Sequence, residues 1–318
     1  MTQPASSQAH IDGPLTSLSI AYMNDASAFI ATKVFPIVSV DKQSNKYFIF
    51  DKQAFFRDQA ERRGDAQESA GSGYSLSNDT YFCKVWALHK DVGDQVRQNT
   101  DSPLNADRNA AEFVTQALLI RREKEFVDTA FVASAWANAV TPSVQWSTYA
   151  SSDPLNDIET AKTTILSTTG RKANTLVLGY EVFAKLKNHP DLRDMVKYTS
   201  SRVITEELLA GLFGVERVLV PSAVIDSNSD AASSASLAFA YGKHALLLHV
   251  PPNPGLEIPS AGYTFAWSGL NGQLGGAGLA MSKFRMEHLK ADRVEGELAI
   301  DVKITGSDLG YFLPSAVA

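Results

Sequence analysis

The stretch RDQAERRGDAQESAGSGYSL (57–76) is almost solid charge in its first half and Gly, Ser and Ala in its second. Either half alone would disorder a chain. It is nevertheless bracketed by KYFIF (46–50) and YFCKVWAL (81–88), two of the most strand-like runs in the sequence. Side chains alternate between the faces of a strand, so Tyr47 and Ile49 point one way and Phe48 and Phe50 the other. In the second run Phe82, Trp86 and Leu88 share a face interrupted by Lys84, with Tyr81, Cys83, Val85 and Ala87 opposite. The pattern predicts a long hairpin, apolar on both faces, with a charged and flexible tip. A two-stranded ribbon is barely stable alone, so this one needs another surface to lie on.

The rest of the chain divides by texture. Residues 1–28 are small and polar and read as an extended arm. AFIATKVFPIVSV (28–40), with β-branched residues and Pro36, reads as strand or edge structure rather than helix. A long helix is expected from Pro103 to Trp136, with Ser102 as N-cap and a stripe of Phe113, Ala117, Ile120, Val127 and Phe131. At 1.5 Å per residue it would span about 50 Å, and because its RREKE centre (121–125) is charged nearly all round, part of the helix is expected to be exposed. Asp153 caps a second helix that begins at Pro154 and stops at Gly170. Then come a short buried strand (175–179), a helix in two pieces around Pro190, and a helix capped by Thr205 and ended by Gly214. RVLVP (217–221) and SLAFAYGKHALLLHV (236–250) are expected strands joined by a low-complexity loop. Residues 262–278 read as loop-rich. The tail alternates, with Leu298, Ile300, Val302 and Ile304 on one face.

Little in the sequence points to chemistry. A net charge of −6 over 318 residues argues against a surface that coats nucleic acid. A single cysteine, Cys83, cannot form an internal disulfide and fits a reducing, cytoplasmic setting. No run approaches the length of a membrane span, and no membrane partner is expected. Gly269, Gly272, Gly275, Gly276 and Gly278 lack phosphate-loop or dinucleotide spacing. His244 and His249 are an odd number apart in a strand-like run and would face opposite ways. His189 reads as a helix-end residue, Cys83 as a small buried hydrophobe, and the carboxylate pairs Glu206/Glu207 and Asp191/Asp194 as helix-start charges. No catalytic, cofactor or metal residues are assigned. Arg62 and Arg63 could touch phosphate, but with Asp58, Glu61, Asp65 and Glu68 beside them the patch suits protein contacts better.

The order of these parts resembles the major capsid proteins of tailed bacteriophages, which share the Hong Kong 97 phage shell fold. The resemblance is carried by ANTLVLGYEVFAKLKNHPDLRDMVKY (173–198), LLAGLFGVERVLVPSAV (208–224), AFAYGKHALLLHV (238–250), FPIVSVDKQSNKYFIFDKQAFFR (35–57) and AIDVKITGSDLGYFL (299–313). It covers almost the whole chain and rests on order and texture more than on any invariant motif.

The resemblance implies an α+β fold: an N-terminal arm (1–45), an extended hairpin loop (46–92), and a peripheral domain with a long spine helix (93–152). An axial mixed α/β domain (153–255) and a β-rich return to the peripheral domain (256–318) would follow. It implies a structural shell subunit of a virion, not an enzyme, built in the host cytoplasm into hexamers and pentamers around double-stranded DNA. The contact residues would be Phe48, Phe50, Phe55, Arg57, Asp58, Glu61, Arg62, Arg63, Asp65, Glu68 and Trp86. Partners would include a portal, decoration proteins in some relatives, and a scaffolding protein. Because the arm begins at Met1 without the long cleaved segment of some relatives, that scaffold is expected to be separate. The tip carries no lysine, so covalent crosslinking is not expected. The alternatives are an encapsulin-type compartment shell and an α/β enzyme using residues 153–250.

Overall fold

The computed structural model describes residues 26–50, 52–100, 105–197, 204–226, 236–253, 255, 258–270 and 278–318. Residues 1–25, Ser102, Pro103 and the glycines at 272, 275 and 276 therefore lie outside the described residues.

Two five-stranded sheets share one core. The first is built on the 14-residue strand β13 (Ala291–Ile304). Along one edge it pairs antiparallel with β4 (Lys84–Gly93); along the other with β12 (Leu279–Met286) and then β11 (Gly262–Trp267). β1 (Ile37–Val40) adds in parallel to β11. In the second sheet the order is β5 (Asn138–Ala139), β14 (Gly310–Leu313), β10 (Ala245–Leu248), β6 (Thr175–Leu178), β7 (Arg217–Leu219). β6, β10 and β14 are buried along their whole length. Their continuous apolar runs follow from this, since both faces are covered. Leu176, Leu178, Ala245 and Leu247 face helices α5 (Pro154–Thr169), α6 (Tyr180–Leu186), α7 (Pro190–Val196) and α8 (Glu206–Phe213). Val177, Leu246, Leu248 and Phe312 face the core shared with the first sheet.

The caps read from sequence are in place. The Asp153 carboxylate accepts from the Asn156 N–H, and the Thr205 side chain accepts from the Leu208 N–H. Gly170 and Gly214 end their helices at φ 65° and 63°, a conformation that costs glycine little.

The long helix departs from expectation. α4 runs Ala106–Ala130, 25 residues with Asn105 as N-cap, so it is about 37 Å long. Its tail is a separate 3-10 turn at Ala133–Ala135. The buried face is Ala110, Val114, Leu118, Phe126 and Ala130; of the expected stripe Phe131 is buried, Ile120 and Val127 pack at the edge of the core, and Phe113 is exposed. Packing against the first sheet decides this. Val114 and Leu118 lie over Gly296, where an added Cβ would sit 2.6 Å from each. The RREKE centre is not exposed all round: Glu123 is fully buried.

Three other segments differ. Residues 31–34 form a short helix, α1 (Ala31–Val34), before β1. Its first two N–H groups, on Ile30 and Ala31, bond to the Glu123 carboxylate 93 and 92 residues away, a partner that local sequence cannot reveal. Gly262–Trp267, within the loop-rich run, is a buried strand. The run 236–250 is two strands, β9 (Leu237–Phe239) and β10, separated by a turn at Gly242. β9 pairs with β8 (Val224–Asp226).

Candidate intersubunit surface

The apolar run 46–50 finds a different partner from the one its texture indicates. β2 (Ser44–Phe50) pairs antiparallel with β3 (Leu76–Phe82), from Ser44 opposite Phe82 to Phe50 opposite Leu76. Lys84 onward leaves the ribbon at Cys83 and joins β13 as β4. Polar residues in β3 (Ser77, Asn78, Asp79 and Thr80) hid it as a strand, whereas Val85–Leu88 resembled one and is one elsewhere. Trp86 therefore lies on the first sheet, with the Arg121 guanidinium 3.7 Å from its ring centroid and the shared core behind it. It drops out of the candidate surface.

The two faces of the ribbon have opposite fates. Tyr47, Tyr81 and Cys83 root it on the body. Tyr81 stacks on Phe265 at 4.6 Å, Tyr47 lies 5.5 Å from the same ring, and the Tyr47 hydroxyl donates to Asp79 at 2.9 Å. Burial, with Asp79 adding to it, raises the Tyr47 phenol above its ordinary range. On the other face lie Phe48, Phe50, Leu76 and Phe82, which share a side by register. Phe48 is 71% exposed, Phe82 55% and Leu76 51%. Folding buries large apolar groups wherever it can, and a ribbon with one face left bare marks a surface meant for contact.

At the end of the ribbon, α2 (Lys52–Phe56) turns the chain. Phe50, Phe55 and Tyr74 form a triangle of rings with centroids 5.7–6.0 Å apart, yet Phe55 and Tyr74 stay more than 60% exposed. Phe56 leans on Gly170 at the end of α5, and Lys52 pairs with Asp308 at 2.5 Å, so the base of the loop is tied to the body. Beyond it residues 57–75 carry no helix or strand. Arg57, Asp58, Glu61, Arg62, Arg63, Asp65 and Glu68 are all exposed, and none forms an ion pair with another described residue. Among the described residues Arg63 bonds to the Gln67 carbonyl, 2.5 Å away.

The other side chains weighed for chemistry are held in local contacts. Ser152 Oγ lies 3.0 Å from His189 Nε2, but His189 is fully buried, Ser152 nearly so, and the Asp191 carboxylate is 3.7 Å from Nδ1. The Ser152–His189 contact fastens the loop before α5 to the start of α7 out of solvent, and only the Asp191 carboxylate of the three is exposed. Burial pushes the Cys83 thiol up to about 11, away from a reactive thiolate. His244 Nδ1 accepts from the Ser315 N–H, whereas His249 Nδ1 faces the Lys172 carbonyl. Among the described residues no group of three metal-binding side chains forms, and no helix is long and apolar enough to cross a membrane. An open depression of about 430 Å³ is lined by Leu155, Met195, Leu212 and Phe213 on its apolar side and by Asp153, Asn156 and Glu159 on its polar side.

No protein-family model matches the chain. Comparison with solved structures is decisive for the architecture. A phage-related protein from Bordetella bronchiseptica superposes with a TM-score of 0.71 at 24% identity, over 92% of this chain and 94% of that one. The capsid of cyanophage P-SCSP1u superposes at 0.63 with 8% identity, over 98% and 94%. This chain has the phage capsid fold. At the level of sequence, it is similar to the major capsid protein of Burkholderia phage BcepMu, 27% identical over 311 residues and 95% of both chains. The major capsid protein of Pseudomonas phage JBD67 is 26% identical over 97% of both. The capsid fold extends to the SrpI encapsulin of Synechococcus elongatus at a TM-score of 0.53 and 10% identity.

Proposed function

We propose that this chain is the major capsid subunit of a tailed double-stranded DNA phage, assembling into the hexamers and pentamers of an icosahedral head. The observation that carries the reading is the bare face of the β2–β3 ribbon, on a chain similar from end to end to phage major capsid proteins. The receiving surface is a second copy. Phe48, Phe50 and Phe55 supply the apolar contact; Arg57, Asp58, Glu61, Arg62, Arg63, Asp65 and Glu68, unpaired at home, fix register against a neighbour. The arm, the extended loop and the peripheral and axial domains keep the ranges set out from sequence, save that the loop ends at Cys83, where the chain joins the first sheet, and α4 serves as the spine helix. A scaffolding protein, a portal and enclosed DNA complete the assembly, which forms in the host cytoplasm. The role is structural rather than catalytic. An encapsulin-type compartment shares the fold, but the sequence likeness is to phage proteins.

Deletion of residues 60–72 tests this. The truncated chain is expected to fold with unchanged melting behaviour and to fail to form closed particles. Normal particles from the deletion variant would overturn the role given to the loop.

A further inference from the structure

The buried carboxylate of Glu123 has a place in this assembly that its position in a charged run conceals. It lies in the C-terminal half of α4 at 0% exposure, with donors from two other segments converging on it. Its Oε1 accepts from the Ile30 N–H at 2.8 Å, its Oε2 from the Ala31 N–H at 3.1 Å, and the Tyr241 hydroxyl closes a short bond to Oε1. Ile30 is the N-cap of α1 and has no side chain able to cap, so Glu123 satisfies donors that would otherwise be orphaned. Burial raises the Glu123 carboxyl above its ordinary range, while the three donors and the neighbouring Arg122 pull against it.

The apolar contacts of the same segment are extensive but undirected. Phe35 meets Phe126 edge-on at 5.0 Å, and Ala28 and Phe29 are buried among Leu119, Ile120, Ala223 and Ala240. Such burial favours docking without fixing one orientation. Three converging hydrogen bonds to a buried charge do fix one, and breaking them leaves polar groups stranded.

We infer that Glu123 is a latch: with Tyr241 it pins residues 28–35 to α4 in one orientation. Resting on the function proposed above, this makes Glu123 a positioning residue that fixes how residues 28–35 sit on each subunit of the shell.

Hydrogen exchange on full-length subunits tests the latch independently of assembly, using Glu123→Gln, Tyr241→Phe and the double variant. In Glu123→Gln a Gln amide faces the Ala31 N–H, donor against donor. Exchange across residues 28–35 is expected to quicken about tenfold or more, from the loss of bonds to a charged acceptor. Strands 175–178 and 245–248 should keep their protection. Tyr241→Phe, which keeps the ring and the fold, should give a smaller rise in the same segment, and the double variant no more than Glu123→Gln alone. Unchanged exchange at 28–35, or a uniform rise over the whole chain in Tyr241→Phe, would overturn the latch. If the latch holds on subunits but particle yield and size are unaffected, its role in assembly is refuted while the contact stands.

Discussion

Replacing Phe48 with alanine separates a residue kept for the subunit from one kept for its neighbour. The ring is 71% exposed in the isolated chain, so truncation removes little of what holds the fold together. Surface changes of that kind typically shift stability by no more than about 0.5 kcal/mol. Full burial of a phenylalanine side chain is worth about 1.5–3 kcal/mol. Covering the exposed seven-tenths against a second copy would therefore contribute about 1–2 kcal/mol per contact. That corresponds to a factor of about 5–30 in each subunit–subunit equilibrium, compounded around every ring. The assay pairs thermal melting of dissociated subunits with the concentration at which light scattering reports assembly. The expected result is an unchanged melting temperature and a sharply raised assembly threshold. Phe126→Ala is the control: that ring is fully buried, and losing it should cost about 3–5 kcal/mol of stability. An unchanged threshold for Phe48→Ala, or a melting temperature lowered by several degrees, would refute the reasoning.

Three further outcomes are expected. Trypsin should cut free subunits at Arg62 or Arg63, which sit in an exposed segment without secondary structure, and cut assembled particles much less readily. Cys83, with its thiol pushed up to about 11 by burial, should stay silent to a thiol reagent at pH 8 until the chain unfolds, as followed by absorbance. At one end of the first sheet, Asp107 is held below its usual range by hydrogen bonds from Lys283 and Arg97, and Asp94 and Asp292 by the Arg285 guanidinium. A lowered carboxyl contributes stability above its unfolded value and loses it as pH falls through the folded value. Melting temperature should therefore drop below about pH 4. The drop should be shallower in Asp107→Asn, and an identical slope in the two proteins would count against the network.

The parts legible in the sequence were those written locally. Asp153 with Pro154, Thr205, Gly170 and Gly214 carry their own cap chemistry within a few residues, and the helices begin and end there. The run Thr175–Leu178 announced burial on both sides by being apolar throughout. What stayed hidden depends on distant chain. α1 is held by Glu123, and a carboxylate inside RREKE gives no local sign that it faces inward. The true partner of β2 is a polar strand, recognisable only by the register that sets Tyr47 beside Asp79. Trp86 looked like part of the loop because apolar alternation says that a strand exists but not which strand it joins. In the candidate surface, Phe48, Phe50, Phe55 and the seven charged residues of the tip could be read from the tension between sticky strands and a soluble tip. Tyr74, Leu76 and Phe82 join them once the register is known.

Electron microscopy of the purified protein tests the central claim most directly. The account predicts closed shells built of hexameric and pentameric rings, with density for residues 57–75 lying across the adjacent subunit and the Phe48 face of the ribbon covered. Monodisperse monomers at every concentration, or rings in which that face remains open to solvent, would contradict it.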